Sequence, residues 1–221
     1  RYYCIKETYI MSIIKGLHAK MIADDVKSVM KKKGYAFFES GIFNVNIVGI
    51  RSKQKRSNKF DDTMLLIYKN KKKEWEVQSS VITTDPGEKY LVHPMNKKGT
   101  AILIPDQYRG VYKVDIHARH NSKFAHEALC QRGNVLKVWR DGNRDKILDH
   151  DPETADEGWF GVNIHRSKTG TADYVGSYSA GCQVFKNGTD FKLFMSAVKK
   201  SAELYGNSFS YTLLEEKDFE D

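Results

Sequence analysis

Along residues 9–33 the apolar positions Ile14, Leu17, Met21, Val26, Val29 and Met30 recur at three- to four-residue spacing, the period of one helix face. Lys31, Lys32 and Lys33 occupy the last turn and Gly34 follows. Cations there complement the negative helix end, and a glycine just beyond it can take the left-handed conformation that stops the helix. The pattern predicts an amphipathic helix packed on a domain; the acidic pair Asp24 and Asp25 argues against an anionic lipid surface. From residue 41 the period shortens to two. Phe43, Val45, Ile47 and Gly49 alternate with Asn44, Asn46 and Val48, which predicts a strand. Met64–Tyr68 and Trp75–Ile82 flank Lys69–Lys73 as a hairpin with a lysine-rich turn. Ala101–Ile104, Val111–Ile116, Ala128–Gln131, Val135–Trp139 and Gly161–His165 read as further strands, punctuated by Pro86-Gly87, Gly99, Pro105, Gly110 and Gly133. A second helix is predicted over Thr189–Leu204, capped by Thr189 or Asp190, with Phe191, Phe194, Met195, Val198 and Leu204 as its apolar face and Gly206 at its end. Ser208–Leu214 then alternates as a last strand before an acidic tail. These elements make a mainly β chain, a β-rich α+β fold with a helix near each end: residues 1–40 an N-terminal helical appendage, residues 41–221 the main domain.

Composition narrows the function classes. The chain has 221 residues, 40% hydrophobic and 29% charged, enough to bury a core and inconsistent with global disorder. No apolar run approaches the roughly 18–20 residues that span a bilayer, so no transmembrane segment is expected. No signal-peptide cleavage site is visible, and Arg1 as first residue leaves a removed leader open. The net charge of +8 and pI near 9.2 suit either a polyanionic partner or a solubilising lysine surface. The clusters Lys31–Lys33, Lys53–Arg56 and Lys69–Lys73 are not interleaved with aromatics, so a nucleic-acid partner is not expected. The three cysteines, Cys4, Cys130 and Cys182, are odd in number and widely spaced, which implies neither a disulfide framework nor a zinc knuckle. Asp141, Asn143, Asp145 and Asp149 have the cadence of a calcium loop. Lys146 stands where that loop needs glycine and no glutamate occupies its twelfth position, so a polar turn is the preferred reading and no metal is expected. No phosphate loop, GxSxG elbow or HExxH motif is present, and no cofactor is implied.

The segment that can carry chemistry runs from Phe160 to Gln183. A thiol nucleophile needs a base, backbone N–H groups near the developing oxyanion, and small neighbours that let the substrate approach. Ser179-Ala180-Gly181-Cys182 offers that approach, and His165 closes an apolar strand that can present its imidazole. Cys4 and Cys130 read as small buried hydrophobes. His117 and His120 follow a strand, and His117 is a candidate to line the pocket; His18, His93, His126 and His150 have no partner that the sequence names.

A histidine at a strand end, a loop, and Ser-x-Gly-Cys resembles the L,D-transpeptidase (YkuD-like) family of peptidoglycan enzymes; here these are His165 and Ser179-Ala180-Gly181-Cys182. Thr83-Thr84-Asp85-Pro86-Gly87 is similar to the Thr-Pro-x-Gly turn found upstream in that family. The likeness spans roughly residues 43–215. It implies a YkuD-like β-sandwich or barrel with an N-terminal helix and a helix after the cysteine. It also implies an acyl-enzyme route on the diamino acid–D-alanine bond of stem peptides, at the cell wall or in the periplasm. Cys182 is then the nucleophile, His165 the base and later the acid, and Ser179 a group that orients His165 or the loop. Gly181 and Cys182 N–H groups face the oxyanion, and Ala180, Arg166 and His117 lie along the substrate. Ala180, Arg166 and Gln183-Val184 differ from residues common in the family and leave cross-linking versus hydrolysis open.

Overall fold

The computed structural model describes residues 2–54 and 57–220, with side chains of the first helix from residue 16 onward. Cys4, Ile14, Lys55 and Arg56 therefore lie outside the described side chains. Helix α1 spans Tyr2–Lys32, and the next elements are β1 (Asn46–Arg51), β2 (Asp62–Lys69), β3 (Trp75–Thr83) and the short helix α2 (Glu88–Val92). Then come β4 (Thr100–Leu103), β5 (Gln107–His117), β6 (His126–Gln131), β7 (Leu136–Asp141), β8 (Asp156–Gly158), β9 (Ile164–Arg166) and β10 (Gln183–Phe185). Helix α3 (Gly188–Tyr205) and β11 (Phe209–Glu215) complete the series. The fold is mainly β. Eight strands close a barrel in the order β1-β11-β5-β6-β9-β10-β3-β2, and β4-β7-β8 form a separate three-stranded sheet.

The expected hairpin is present, with Lys69 opposite Trp75. Strand β2 is nearly continuously buried because both its faces are covered. Met64, Leu66 and Tyr68 enter the main core with Ile47, Tyr211 and Leu213. Leu65 and Ile67 point outward and join Val48, Leu214 and, from α1, Ala23, Val26, Val29 and Met30. The first helix is thus packed on the barrel wall. Its buried face differs from the one predicted: Leu17 and Met21 are exposed, and among the described side chains the buried ones are Ala19, Ala23, Val26, Val29 and Met30. Gly34, at φ +74°, ends the helix as expected, with Tyr35 N–H donating to Met30 O at 2.8 Å.

Three boundaries move for identifiable reasons. β1 starts at Asn46, because Phe43 takes φ +54° and donates its N–H to Lys69 O, turning the chain before the ladder begins. The cap of α3 is Asn187, whose side chain accepts from Thr189 N and Asp190 N, so the two residues expected to cap the helix are instead the ones capped. The expected strand over 161–165 shortens to β9, with Gly161, at φ +69°, diverting the chain before it. No described helix is long and apolar enough to cross a membrane.

Candidate active site

Strands β9 and β10 run parallel, with Gln183 opposite Ile164 and Val184 opposite His165. Cys182 stands one residue before β10 and Asn163 one before β9, and the ladder continues to them through Gln183 N–H donating to Asn163 O at 2.9 Å. Side chains two residues apart on a strand share a face, so Asn163 and His165 look the same way.

The Ser179–Cys182 turn is locked by its own residues. Ser179 Oγ donates to Cys182 O at 2.8 Å and accepts from Gly181 N–H at 3.1 Å. Gly181 sits at φ +121°, and a Cβ there would stand 2.4 Å from Ala101 O, so only glycine fits. From below, Gly87 N–H donates to Ser179 O at 3.0 Å, which docks the Thr83–Gly87 turn onto the Ser179–Cys182 loop. That turn is fixed by charge. Arg51 Nε donates to Thr84 Oγ1 at 2.9 Å and lies 3.2 Å from Asp85 Oδ1, while Asp62 Oδ2 accepts from Thr84 N and Oγ1. Burial pushes the carboxyls of Asp62 and Asp85 up, and Arg51 opposes the shift. Gln183 links this floor to the loop: its amide donates towards Thr84 O and Gly181 O and accepts from Tyr211 OH.

The Cys182 sulfur is half-buried. Its thiol is directed at Gly161 O, 3.6 Å away, and it accepts from Asn163 N–H at 3.4 Å. Burial pushes the thiol up to about 11, against which the Asn163 N–H works. His165 is 4% exposed. Its Nδ1 lies 2.8 Å from Arg166 O, an acceptor, so Nδ1 carries the proton and Nε2 holds the free lone pair. Nε2 is buried and has no hydrogen-bond partner among the described residues. Burial, then the neighbouring His117, push His165 well below its ordinary value.

The expected pair is therefore brought onto adjacent strands and not joined: no hydrogen bond connects Cys182 to His165. Burial favours a neutral thiol beside a neutral imidazole, with no ion pair between them. Other expectations are also redistributed. Ser179 orients the loop and not His165. Gly181 N–H is committed to Ser179, so it is not an oxyanion donor; Cys182 N–H makes no hydrogen bond among the described residues and remains available. Arg166 serves His165 through its carbonyl, and its side chain lines a groove of about 690 Å³ with Lys192, Met195 and Lys199. Ala180 lines a smaller cleft of about 330 Å³ with Ala101, Arg140, Trp159 and Phe160. His117 stacks on His165 with ring centroids 3.9 Å apart and a 15° interplanar angle. His120 is exposed in the following turn. Cys130 is buried in the core, as expected. Asn143 Nδ2 donates to both Asp145 and Asp149, which closes the 141–149 segment as a polar turn.

Three contributors escaped the sequence. His126 lies directly opposite His117 across the β5–β6 pair and packs 5.9 Å from His165; counting residues outward from the turn after His117 would have paired them. Asn163, two residues before His165, reaches both His117 and the sulfur. Gln131 Oε1 accepts from Phe160 N–H and Gly161 N–H, which holds the carbonyl that the thiol meets. No protein-family model, curated protein or solved structure matches the chain.

Proposed function

We propose that this protein is a cysteine acyltransferase or hydrolase of the L,D-transpeptidase (YkuD-like) kind, acting on peptidoglycan stem peptides at the cell wall. The observation that carries the reading is the Ser179–Cys182 turn set beside an imidazole whose Nδ1–H is held by a backbone carbonyl and whose Nε2 is free. That tautomer is the one a general base requires.

In the proposed reaction the Cys182 sulfur attacks the carbonyl that joins the diamino acid to D-alanine, and its proton passes to His165 Nε2. The oxyanion meets the Cys182 N–H. Collapse of the tetrahedral intermediate breaks the C–N bond, and the leaving amine takes the proton from His165. The thioester is then opened by an amine, giving a cross-link, or by water, giving hydrolysis. Because the resting thiol is neutral, entry of substrate must displace it from Gly161 O and turn it towards His165. The basic surface suits an anionic wall.

A second reading, a catalytically silent wall-binding or structural protein on the same fold, is favoured by one observation: the sulfur and the imidazole share no hydrogen bond. Incubating the protein and Cys182→Ala with purified sacculi and stem tetrapeptides, with products read by mass spectrometry, separates the two. The enzyme reading expects loss of D-alanine or new cross-links only when Cys182 is present. Identical, unchanged substrate with both folded proteins sinks it and leaves the silent reading.

A further inference from the structure

Asn163 has every kind of polar group it carries engaged, and each bond reaches a different part of the site. Its N–H donates to the Cys182 sulfur at 3.4 Å and its C=O accepts from Gln183 N–H at 2.9 Å. Its Oδ1 accepts from Gln131 N–H at 2.9 Å, and its Nδ2 lies 3.1 Å from His117 Nδ1. The order of these bonds determines protons. A backbone N–H can only donate, so the amide oxygen must face Gln131 and the amide nitrogen must face His117. An amide nitrogen can only donate, so His117 Nδ1 must accept, and the neutral ring must carry its hydrogen on Nε2. His165 is the opposite tautomer, fixed by Arg166 O. Two stacked imidazoles thus hold their protons on different nitrogens, each set by a neighbour that cannot change role.

We infer that Asn163 is the positioning residue of this site: it keeps His117 in the Nε2–H form with no second proton, so that the ring stacked on His165 is uncharged when His165 takes the proton of Cys182. The role in catalysis rests on the proposed function; the assignment of tautomers does not. Protonating His117 on Nδ1 would set two N–H donors, those of His117 and Asn163, against each other. It would also place a cation against the face of His165. Of the charges beside the cluster, His126 opposes protonation of His117 across β5–β6, and Arg132 and Arg166 are cationic; the Asp115 carboxylate, two residues before His117 on β5, is engaged by Arg119 and Arg132, and α3 presents the apolar ring of Phe191 to His126. In line with this, burial, His126 and Arg132 hold His117 down at about 4.

The test is long-range ¹H–¹⁵N correlation NMR on histidine-labelled protein, titrated from pH 8 to pH 4 without substrate. The wild type is expected to show His117 as Nε2–H and His165 as Nδ1–H, with His117 neutral over most of that range. In Asn163→Asp the carboxylate still accepts from Gln131 N–H but can only accept from His117. The His117 proton should therefore move to Nδ1 and its titration midpoint rise by at least one pH unit. His117 found as Nδ1–H in the wild type overturns the inference, as does an unchanged tautomer and midpoint in a folded Asn163→Asp. The wild-type spectrum decides by itself if the variant does not fold. Failure of the enzyme reading shows separately, as stem peptides left intact by a protein whose tautomers are as stated.

Discussion

Two clusters of buried and half-buried ionisable groups flank the Ser179–Cys182 turn, and they solve the problem of burial in opposite ways. Below it, Arg51, Asp62 and Asp85 form an ionic floor that contains its own countercharge and spends its hydrogen bonds on Thr84. Above it, His117, His126, His165 and the Cys182 thiol contain no opposite charge. Burial pushes every imidazole down and the thiol up, so all four stay neutral. In the floor one guanidinium faces two carboxyls whose titration burial raises, and removing that cation would leave them unpaired, which holds the cluster in place. A neutral thiol beside a neutral base can exchange a proton at no cost in net charge. The floor is therefore the part that builds the loop, and the roof is the part to which the proposed chemistry is assigned.

The largest effect expected from this contrast is in thiol reactivity. With the thiol near 11, about one Cys182 in a thousand is thiolate at pH 8. Alkylation of Cys182 by iodoacetamide, followed by peptide mass spectrometry, should speed up roughly tenfold per pH unit from pH 7 to pH 10. A rate that is high and flat from pH 7 would mean a standing thiolate–imidazolium pair and would erase the contrast.

Next, Arg51→Met leaves two buried carboxyls without their cation and should cost ~3–5 kcal/mol at neutral pH by urea denaturation. Because a protonated carboxyl no longer needs the guanidinium, the deficit should shrink as pH falls. A deficit that is the same at pH 5 and pH 8 would assign the loss to packing alone.

Acid should act on the roof. The three histidines titrate below their unfolded value near 6.5, so under that pH the unfolded chain binds more protons than the folded one. Their contribution is complete above about pH 7 and is lost as pH falls, at up to ~1.4 kcal/mol per pH unit for each histidine. Double replacement of His117 and His126 by Phe should flatten the stability profile between pH 6.5 and pH 4; an unchanged slope would remove these rings from the account. The smallest effect belongs to the seam between the clusters. Ser179→Ala leaves Gly181 N–H and Cys182 C=O without their partner and should cost ~1–3 kcal/mol with the floor intact. A cost near zero would show that the turn is held from elsewhere.

How much of this could be read from the sequence follows the same division. The hairpin over β2 and β3, the helix after Cys182 and the termination of α1 at Gly34 were legible because apolar period and glycine position are local signals. The outward face of β2 was not, since Leu65 and Ile67 are buried by a helix more than thirty residues away. Within the candidate site, the placing of Cys182 and the Ser179–Gly181 turn beside the strand of His165 was legible from spacing. The division of labour among them was not. The Gly181 N–H goes to Ser179 and the Arg166 carbonyl holds His165, while the direction of the thiol is set by Asn163, Gln131 and Gly161, residues with no motif of their own. His126 was legible in principle from hairpin register and was passed over because, in the linear chain, nothing next to it suggests a partner.

The central claim, that Cys182 forms an acyl-enzyme with His165 as base, is tested most directly by intact-mass spectrometry of the protein quenched in acid seconds after mixing with a stem tetrapeptide. The account predicts a mass increment equal to the tripeptide acyl group in the wild type, lost on treatment with hydroxylamine. It predicts no increment in Cys182→Ala and at least a hundredfold slower acylation in His165→Ala. A wild-type protein that is folded, carries no adduct at any time and leaves the tetrapeptide intact would contradict it.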